Sequence, residues 1–210
     1  GFDTAVAFAT DAIDRLHTTA EAHRRIMVVE VMGRYAGWIA LHGGVAGGAD
    51  AILIPEIPFD LSLVAERLRE RDHWGARFSI VVVAEGAYPK GGSLALLEEG
   101  TAGHVERLGG MAGRVAAGLA RETGKETRSV VLGHLQRGGA PTSFDRVLAT
   151  RFGGKAVELV KRAEYGTMVA FAPPDIVARR LEDVVGRIKT VPLDSDLLLT
   201  ARALGVTFGD

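Results

Sequence analysis

Apolar positions along the chain switch repeatedly between a helical and an extended period. From Asp3, placed to cap a helix, Val6, Ala9, Ile13 and Leu16 recur at helical spacing. A polar turn leads to Ile26-Met27-Val28-Val29-Glu30-Val31, a β-branched run of strand length. Met32-Gly33-Arg34 breaks it, and Gly37 to Leu41 starts a helix. Ala51 to Ile54 reads as a short strand stopped by Pro55. Leu61 to Asp72 reads as an amphipathic helix with Leu61, Val64, Ala65 and Leu68 on one face, and Ser79 to Ala84 is the strongest strand. A glycine-rich loop follows, then a helix from about His104 to Glu122 with Val105, Leu108, Ala112, Val115 and Leu119 inward. Arg128 to Leu132 is a further strand, and Ser143 caps a long helix reaching Arg162. Met168 to Phe171 and Asp175 to Val177, split by Pro173-Pro174, form a small hairpin. A last helix runs from about Ser195 to Leu204, capped by Asp194 or Ser195. This alternation predicts a layered α/β fold with a mainly parallel sheet.

Composition adds one emphasis. Glycine supplies 27 of 210 residues, against a usual share of about 7%, and clusters in short runs that predict tight turns and close backbone approach. A net charge of −1 leaves no basic footprint for nucleic acid. The absence of cysteine excludes disulfides and thiolate chemistry. No apolar run approaches the roughly 20 residues of a membrane span, and no signal-peptide pattern opens the chain, so a cytoplasmic location is expected. Gly1 leads straight into a helical pattern with no introductory strand, which reads as the cut edge of a longer protein.

Three predicted strands end alike, in an apolar run followed by charged residues among glycines: Val31-Met32-Gly33-Arg34, Ala84-Glu85-Gly86, and Leu132-Gly133-His134-Leu135-Gln136-Arg137-Gly138-Gly139. In a parallel sheet all such ends share the edge where ligands bind. Arg34, Glu85, His134 and Arg137 can therefore converge. Arginine offers a rigid donor fork to phosphate, histidine a further donor or charge, and glutamate accepts from hydroxyls, so the set suits a sugar phosphate. One such end alone is more often a turn with a solvated side chain; three in one chain reverse that balance.

Arg25 and Arg128 stand at the starts of strands whose ends carry site candidates. Arg128 is six steps before His134, about 20 Å if fully extended at roughly 3.3 Å per step, and Arg25, nine steps before Arg34, is farther still. Neither easily serves the pocket at its own strand's end; each is a surface charge or a contributor to a neighbouring subunit, and the surface reading wins on the residues alone. The Tyr88-Pro89-Lys90-Gly91-Gly92 loop is a weaker candidate for closing over a ligand. The other histidines show no ligand spacing, so no protein-bound metal is expected. Trp38 and Trp74 are expected in the core. Neither a Gly-x-Ser-x-Gly elbow nor a Gly-x-Gly-x-x-Gly loop after a strand occurs.

Together, Val29-Glu30-Val31-Met32-Gly33-Arg34, Ala46-Gly47-Gly48-Ala49, Ala84-Glu85-Gly86 and Gly133-His134-Leu135-Gln136-Arg137-Gly138-Gly139-Ala140-Pro141 resemble the 6-phosphofructokinase family in order and spacing, over essentially the whole chain. Met32 to Ala40 and the closing Val191-Pro192-Leu193-Asp194-Ser195 look most like the actinobacterial-type branch, which includes ATP- and pyrophosphate-dependent enzymes. The resemblance implies a three-layer α/β sandwich lacking the amino-terminal donor-binding half. Residues 1–135 would form the fructose-6-phosphate-binding domain, 136–188 a segment returning to the donor domain, and 189–210 a helix packing back on the substrate domain.

The resemblance also implies roles. Met32 and Glu85, with Gly33 between Met32 and Arg34, would line the fructose site; His134 and Arg137 would hold the 6-phosphate; Arg34 would stabilise the phosphoryl group in flight. Arg25 and Arg128 match arginines that reach the adjacent subunit's 6-phosphate, which implies a homodimer or homotetramer. Magnesium would come with the donor, on ligands outside this chain, as would the aspartate general base. His17, Trp74 and Ala76 stand where regulated bacterial members keep basic residues for an allosteric nucleotide, so that control is not expected. Two rivals stay open: a non-catalytic sugar-phosphate-binding module, and a sugar-phosphate isomerase using Glu85 and His134.

Overall fold

Two six-residue runs buried at every position, Ile26–Val31 and Ser79–Ala84, form the middle of the fold. Such continuous apolar runs suit parallel strands covered on both faces. The computed structural model describes residues 1–92, 96–98, 107–108 and 110–210. In chain order the elements are α1 (Phe2–His23), β1 (Ile26–Val31), α2 (Trp38–Ala46), β2 (Ala51–Leu53), α3 (Leu61–His73), β3 (Ser79–Ala84), β4 (Leu96–Glu98), β5 (Arg107–Leu108), α4 (Met111–Thr123), β6 (Thr127–Val131), α5 (Ser143–Lys161), β7 (Thr167–Ala172), β8 (Asp175–Arg180) and α6 (Asp196–Ala203). The chain divides into one unit of residues 5–138 and 190–210 and another of residues 1–4 and 139–189.

The larger unit is built on a four-stranded sheet of order β2-β3-β1-β6 in which every pairing is parallel. The two-residue side-chain period sorts the strands onto two faces. Met27, Val29, Val31, Ile80, Val82 and Ala84 share a buried cluster with Ile13 of α1, Leu41 of α2 and Leu198 of α6. Ile26, Val28, Val81 and Val83 pack with Val64 and Leu68 of α3 and Val115 and Leu119 of α4. Each such aliphatic side chain contributes about 1.5–3 kcal/mol on burial. The β2 edge is extended by a parallel bridge from Ala51 to Thr207. At the β6 edge, Val131 stays 54% exposed.

Glu30 is the exception inside these layers. It lies in β1 at 3% exposure, and its carboxylate accepts from the Ala112 amide at 2.8 Å. Gly110, the residue capping α4, has no side chain to offer the first amides of that helix, so Glu30 supplies the cap from the sheet. Burial pushes the Glu30 carboxyl above its ordinary value; the amides of Ala112, Gly110 and Met111 oppose this, and the charge of Glu85 adds to it.

In the smaller unit, α5 is accompanied by the antiparallel β7–β8 hairpin, with Phe144 and Phe171 edge to face, centroids 6.1 Å apart. Asp145 accepts from the Thr4 amide at 2.8 Å, and the Thr142 hydroxyl donates to Asp3 at 2.6 Å.

Several expectations are corrected. The helix expected from His104 begins at Met111, because Gly110 adopts a left-handed φ of 77°, and Arg107–Leu108 is a strand paired with Leu96–Glu98. Val105 lies outside the described residues. Trp74 is 85% exposed: it follows the last turn of α3, off the stripe that faces the core. Trp38 packs against the core as expected. Asp3 lies within the first turn of α1 and takes the Thr142 hydroxyl, and Thr142, not Ser143, caps α5.

Candidate functional site

Because β3, β1 and β6 are neighbours and parallel, their carboxyl ends lie side by side. The register pairs Val31 with Ala84, which sets Met32 beside Glu85. The Gly33 amide donates to Glu85 Oε1 at 3.3 Å, and the Gly86 amide to the Gly33 carbonyl at 3.0 Å. The Met32 amide donates to Gln136 Oε1 at 3.3 Å, and the Leu132 amide to the Glu30 carbonyl at 3.0 Å. All three expected strand ends are thus stitched into one edge.

Glycine is required where these backbones meet. A Cβ on Gly86 would stand 1.9 Å from the Arg34 carbonyl oxygen, and one on Gly33, whose φ is 154°, would stand 2.8 Å from the Ala36 oxygen.

Glu85, Met32 and Arg34 are half-buried around this seam. The Arg34 guanidinium lies over the Tyr35 ring, 5.2 Å from its centroid. Beyond β6 the chain winds into a 3-10 turn over Gly133–Arg137, which buries Gln136 and leaves His134 and Arg137 exposed. Gln136 Nε2 donates to the Gly133 carbonyl at 3.2 Å, so this one amide ties the turn to itself and to the loop after β1. The edge offers hydroxyl acceptance at Glu85 and cationic or donor groups at Arg34, His134 and Arg137. That inventory suits a ligand with a hydroxylated body and an anionic end.

Arg25 and Arg128 are elsewhere. Arg25 immediately precedes β1, and Arg128 is the second residue of β6, which starts at Thr127 and not at Arg128 as expected; Ile26 lies opposite Thr127 and Met27 opposite Arg128. Both reach Glu126, Arg25 at 3.3 Å and Arg128 at 2.8 Å. The structure brings these two together at the amino-terminal edge of the sheet and not with the other candidates.

The family described as Phosphofructokinase matches residues 1–160. The chain belongs to the phosphofructokinase family. It is 57% identical over 210 residues to the ATP-dependent 6-phosphofructokinase of Chloroflexus aggregans, covering all of this chain and 57% of that protein. It is 55% identical over 197 residues to the pyrophosphate–fructose 6-phosphate 1-phosphotransferase of Amycolatopsis mediterranei, covering 92% of this chain and 57% of that protein. The crystal structure of a pyrophosphate-dependent phosphofructokinase from Nitrosospira multiformis superposes with a TM-score of 0.78 at 23% identity, covering all of this chain and 56% of that one. The chain therefore spans little more than half the length of the relatives it matches, and the α/β fold with its mainly parallel sheet is that of solved phosphofructokinases.

The strand-end motifs singled out Arg34, Glu85, His134 and Arg137, but not Gln136 or Glu56, whose side chains hold the loops at this edge. Gln136 stood inside a motif with no role attached. Its signal was its place among exposed polar neighbours while itself buried, which only the turn reveals. Glu30 was visible as the lone charge in an apolar strand. Glu56 follows the end of β2 without flanking glycines and gave no signal. Among the described residues no three histidine, aspartate or glutamate side chains come together as a metal site, and no helix is long and apolar enough to cross a membrane.

Proposed function

We propose that this chain supplies the fructose 6-phosphate site of a 6-phosphofructokinase, with a phosphoryl group passing from ATP or pyrophosphate to the sugar's 1-hydroxyl. The observation that carries this reading is the convergence of Glu85, Arg34, His134 and Arg137 on one sheet edge, in a chain whose relatives bear those two activities. Residues 1–135 form the substrate domain, 136–188 return to the donor domain, and 189–210 pack back on the substrate side.

The division of labour follows from chemistry. His134 and Arg137 hold the 6-phosphate by charge-assisted hydrogen bonds. Met32, Gly33 and Glu85 line the fructose ring, with Glu85 accepting from its hydroxyls. The 1-oxygen bonds to the donor's terminal phosphorus as the bond to the leaving phosphate oxygen breaks, and the hydroxyl proton goes to a base outside this chain. Arg34 faces the charge that spreads over the phosphoryl oxygens, where positioning and neutralisation supply most of the catalysis. Magnesium would arrive with the donor and would help neutralise the charge on its phosphates; we assign its ligands to the part of the enzyme outside this chain. Arg25 and Arg128, two cations sharing the single carboxylate Glu126, keep a net positive charge for the 6-phosphate of an adjacent subunit in a cytoplasmic homodimer or homotetramer.

Coupled assays with ATP and with pyrophosphate on the full-length polypeptide assign the donor. In them, Arg34→Ala lowers kcat by about 10²–10³, the cost of removing one transition-state donor, and leaves KM for fructose 6-phosphate nearly unchanged. An unchanged kcat overturns the role given to Arg34.

A further inference from the structure

We propose that Glu56 is a positioning residue for Arg34, a deduction that rests on the role just given to that arginine. Glu56 lies just beyond the end of β2, half-buried. Both of its carboxylate oxygens accept from the Gly37 amide, at 3.1 and 3.0 Å. The same Oε1 accepts from the Val191 amide at 2.7 Å.

Gly37 caps the N-terminus of α2 and carries no side chain. Its amide lies outside the helical ladder and needs an acceptor, and a carboxylate at a helix N-terminus is electrostatically favoured. The contact is close: a Cβ on Gly37 would stand 2.3 Å from Ile54 Cγ2. The backbone is thus pressed onto the end of β2 and fastened there by Glu56.

The consequence is for the loop. Gly33 is held by Glu85 at 3.3 Å and Gly37 by Glu56, with Arg34, Tyr35 and Ala36 between. Glu85 is also a group that engages the sugar, so its hold on Gly33 competes with substrate. Glu56 meets no substrate and keeps the far end of the loop in place throughout. The Val191 amide shares that anchor, so the loop is also tied to the stretch where the chain rejoins the larger unit. Loosening it displaces Arg34 but leaves His134 and Arg137, which stand on another element, where they are.

The experiment measures kcat and KM for fructose 6-phosphate in the full-length polypeptide carrying Glu56→Ala, Glu56→Gln, Arg34→Ala, or Glu56→Ala with Arg34→Ala, with folding checked by circular dichroism. Glu56→Ala is expected to lower kcat by up to about a hundredfold, the scale of an ångström-sized misplacement, with KM within a few-fold. In the Arg34→Ala background the same substitution costs little more. Glu56→Gln keeps one acceptor oxygen and loses less.

A wild-type kcat in folded Glu56→Ala, or losses that multiply in the double variant, overturns the proposal. If Glu56→Ala does not fold, a folded Glu56→Gln with wild-type kcat does the same. An Arg34→Ala enzyme with wild-type kcat overturns the reading of Arg34 itself, an outcome distinct from a slow Arg34→Ala beside a fast Glu56→Ala.

Discussion

The two edges of the parallel sheet use charge in opposite ways. At the carboxyl-terminal edge the acidic and amide side chains of Glu85, Gln136 and Glu56 are spent on backbone amides. They shape loops, and those loops present Arg34, His134 and Arg137. At the amino-terminal edge the acids also hold cations: Glu126 holds Arg25 and Arg128, and Asp50 holds Arg71 at 2.6 Å while accepting from the Ile80 amide at 2.9 Å. Burial pushes the Asp50 carboxyl up, against the Ile80 amide and Arg71, which pull it down. One edge uses its acids to shape loops, and the other pairs them directly with cations. A binding site is therefore recognised less by how many charges it has than by what its counter-charges are doing.

The sharpest challenge to this contrast concerns Arg25 and Arg128. As purely compensated surface charges they would contribute about 0–1 kcal/mol of stability and nothing to the reaction. If they serve an adjacent subunit's phosphate, replacing both by alanine raises KM for fructose 6-phosphate by about tenfold or more for each charge-assisted bond lost, with a smaller change in kcat. Mixing that double variant with an Arg34→Ala chain then restores part of the activity. No rescue in demonstrated hybrids returns both arginines to the surface.

A smaller effect is expected at Glu30, a buried carboxylate that caps a helix from within the sheet. Its folded-state value is raised, so the stability it carries is complete below the ordinary carboxyl range and is lost as pH rises through the raised value. Melting temperatures of the wild type and Glu30→Gln, followed from about pH 4 to 8, should diverge. The wild type loses ground to the variant as pH rises, by a few degrees at most. A difference that is flat with pH removes Glu30 from the account.

Much of this was legible in the residues. Ile26 to Val31 and Ser79 to Ala84 read as strands because burial on both faces makes them short, continuous β-branched runs. The strand-end charges were legible because glycines flank them. What stayed hidden depends on partners far away in the chain. Glu56 has meaning only through Gly37 and Val191, and Glu126 only once the register sets Ile26 beside Thr127. The start of α4 was misplaced because the apolar spacing continues upstream of Gly110, whose left-handed φ of 77° sets the helix boundary. Trp74 was misplaced because a helix's inward stripe stops with its last turn.

If the carboxyl-terminal edge binds a sugar phosphate, its exposed cations His134 and Arg137 carry that binding. Calorimetric titration of fructose 6-phosphate into the full-length wild type and into His134→Ala/Arg137→Ala tests it most directly. The double variant, folded and melting close to the wild type, is expected to bind at least about a hundredfold more weakly, as two charge-assisted bonds are lost. Equal affinity in the two proteins would contradict it.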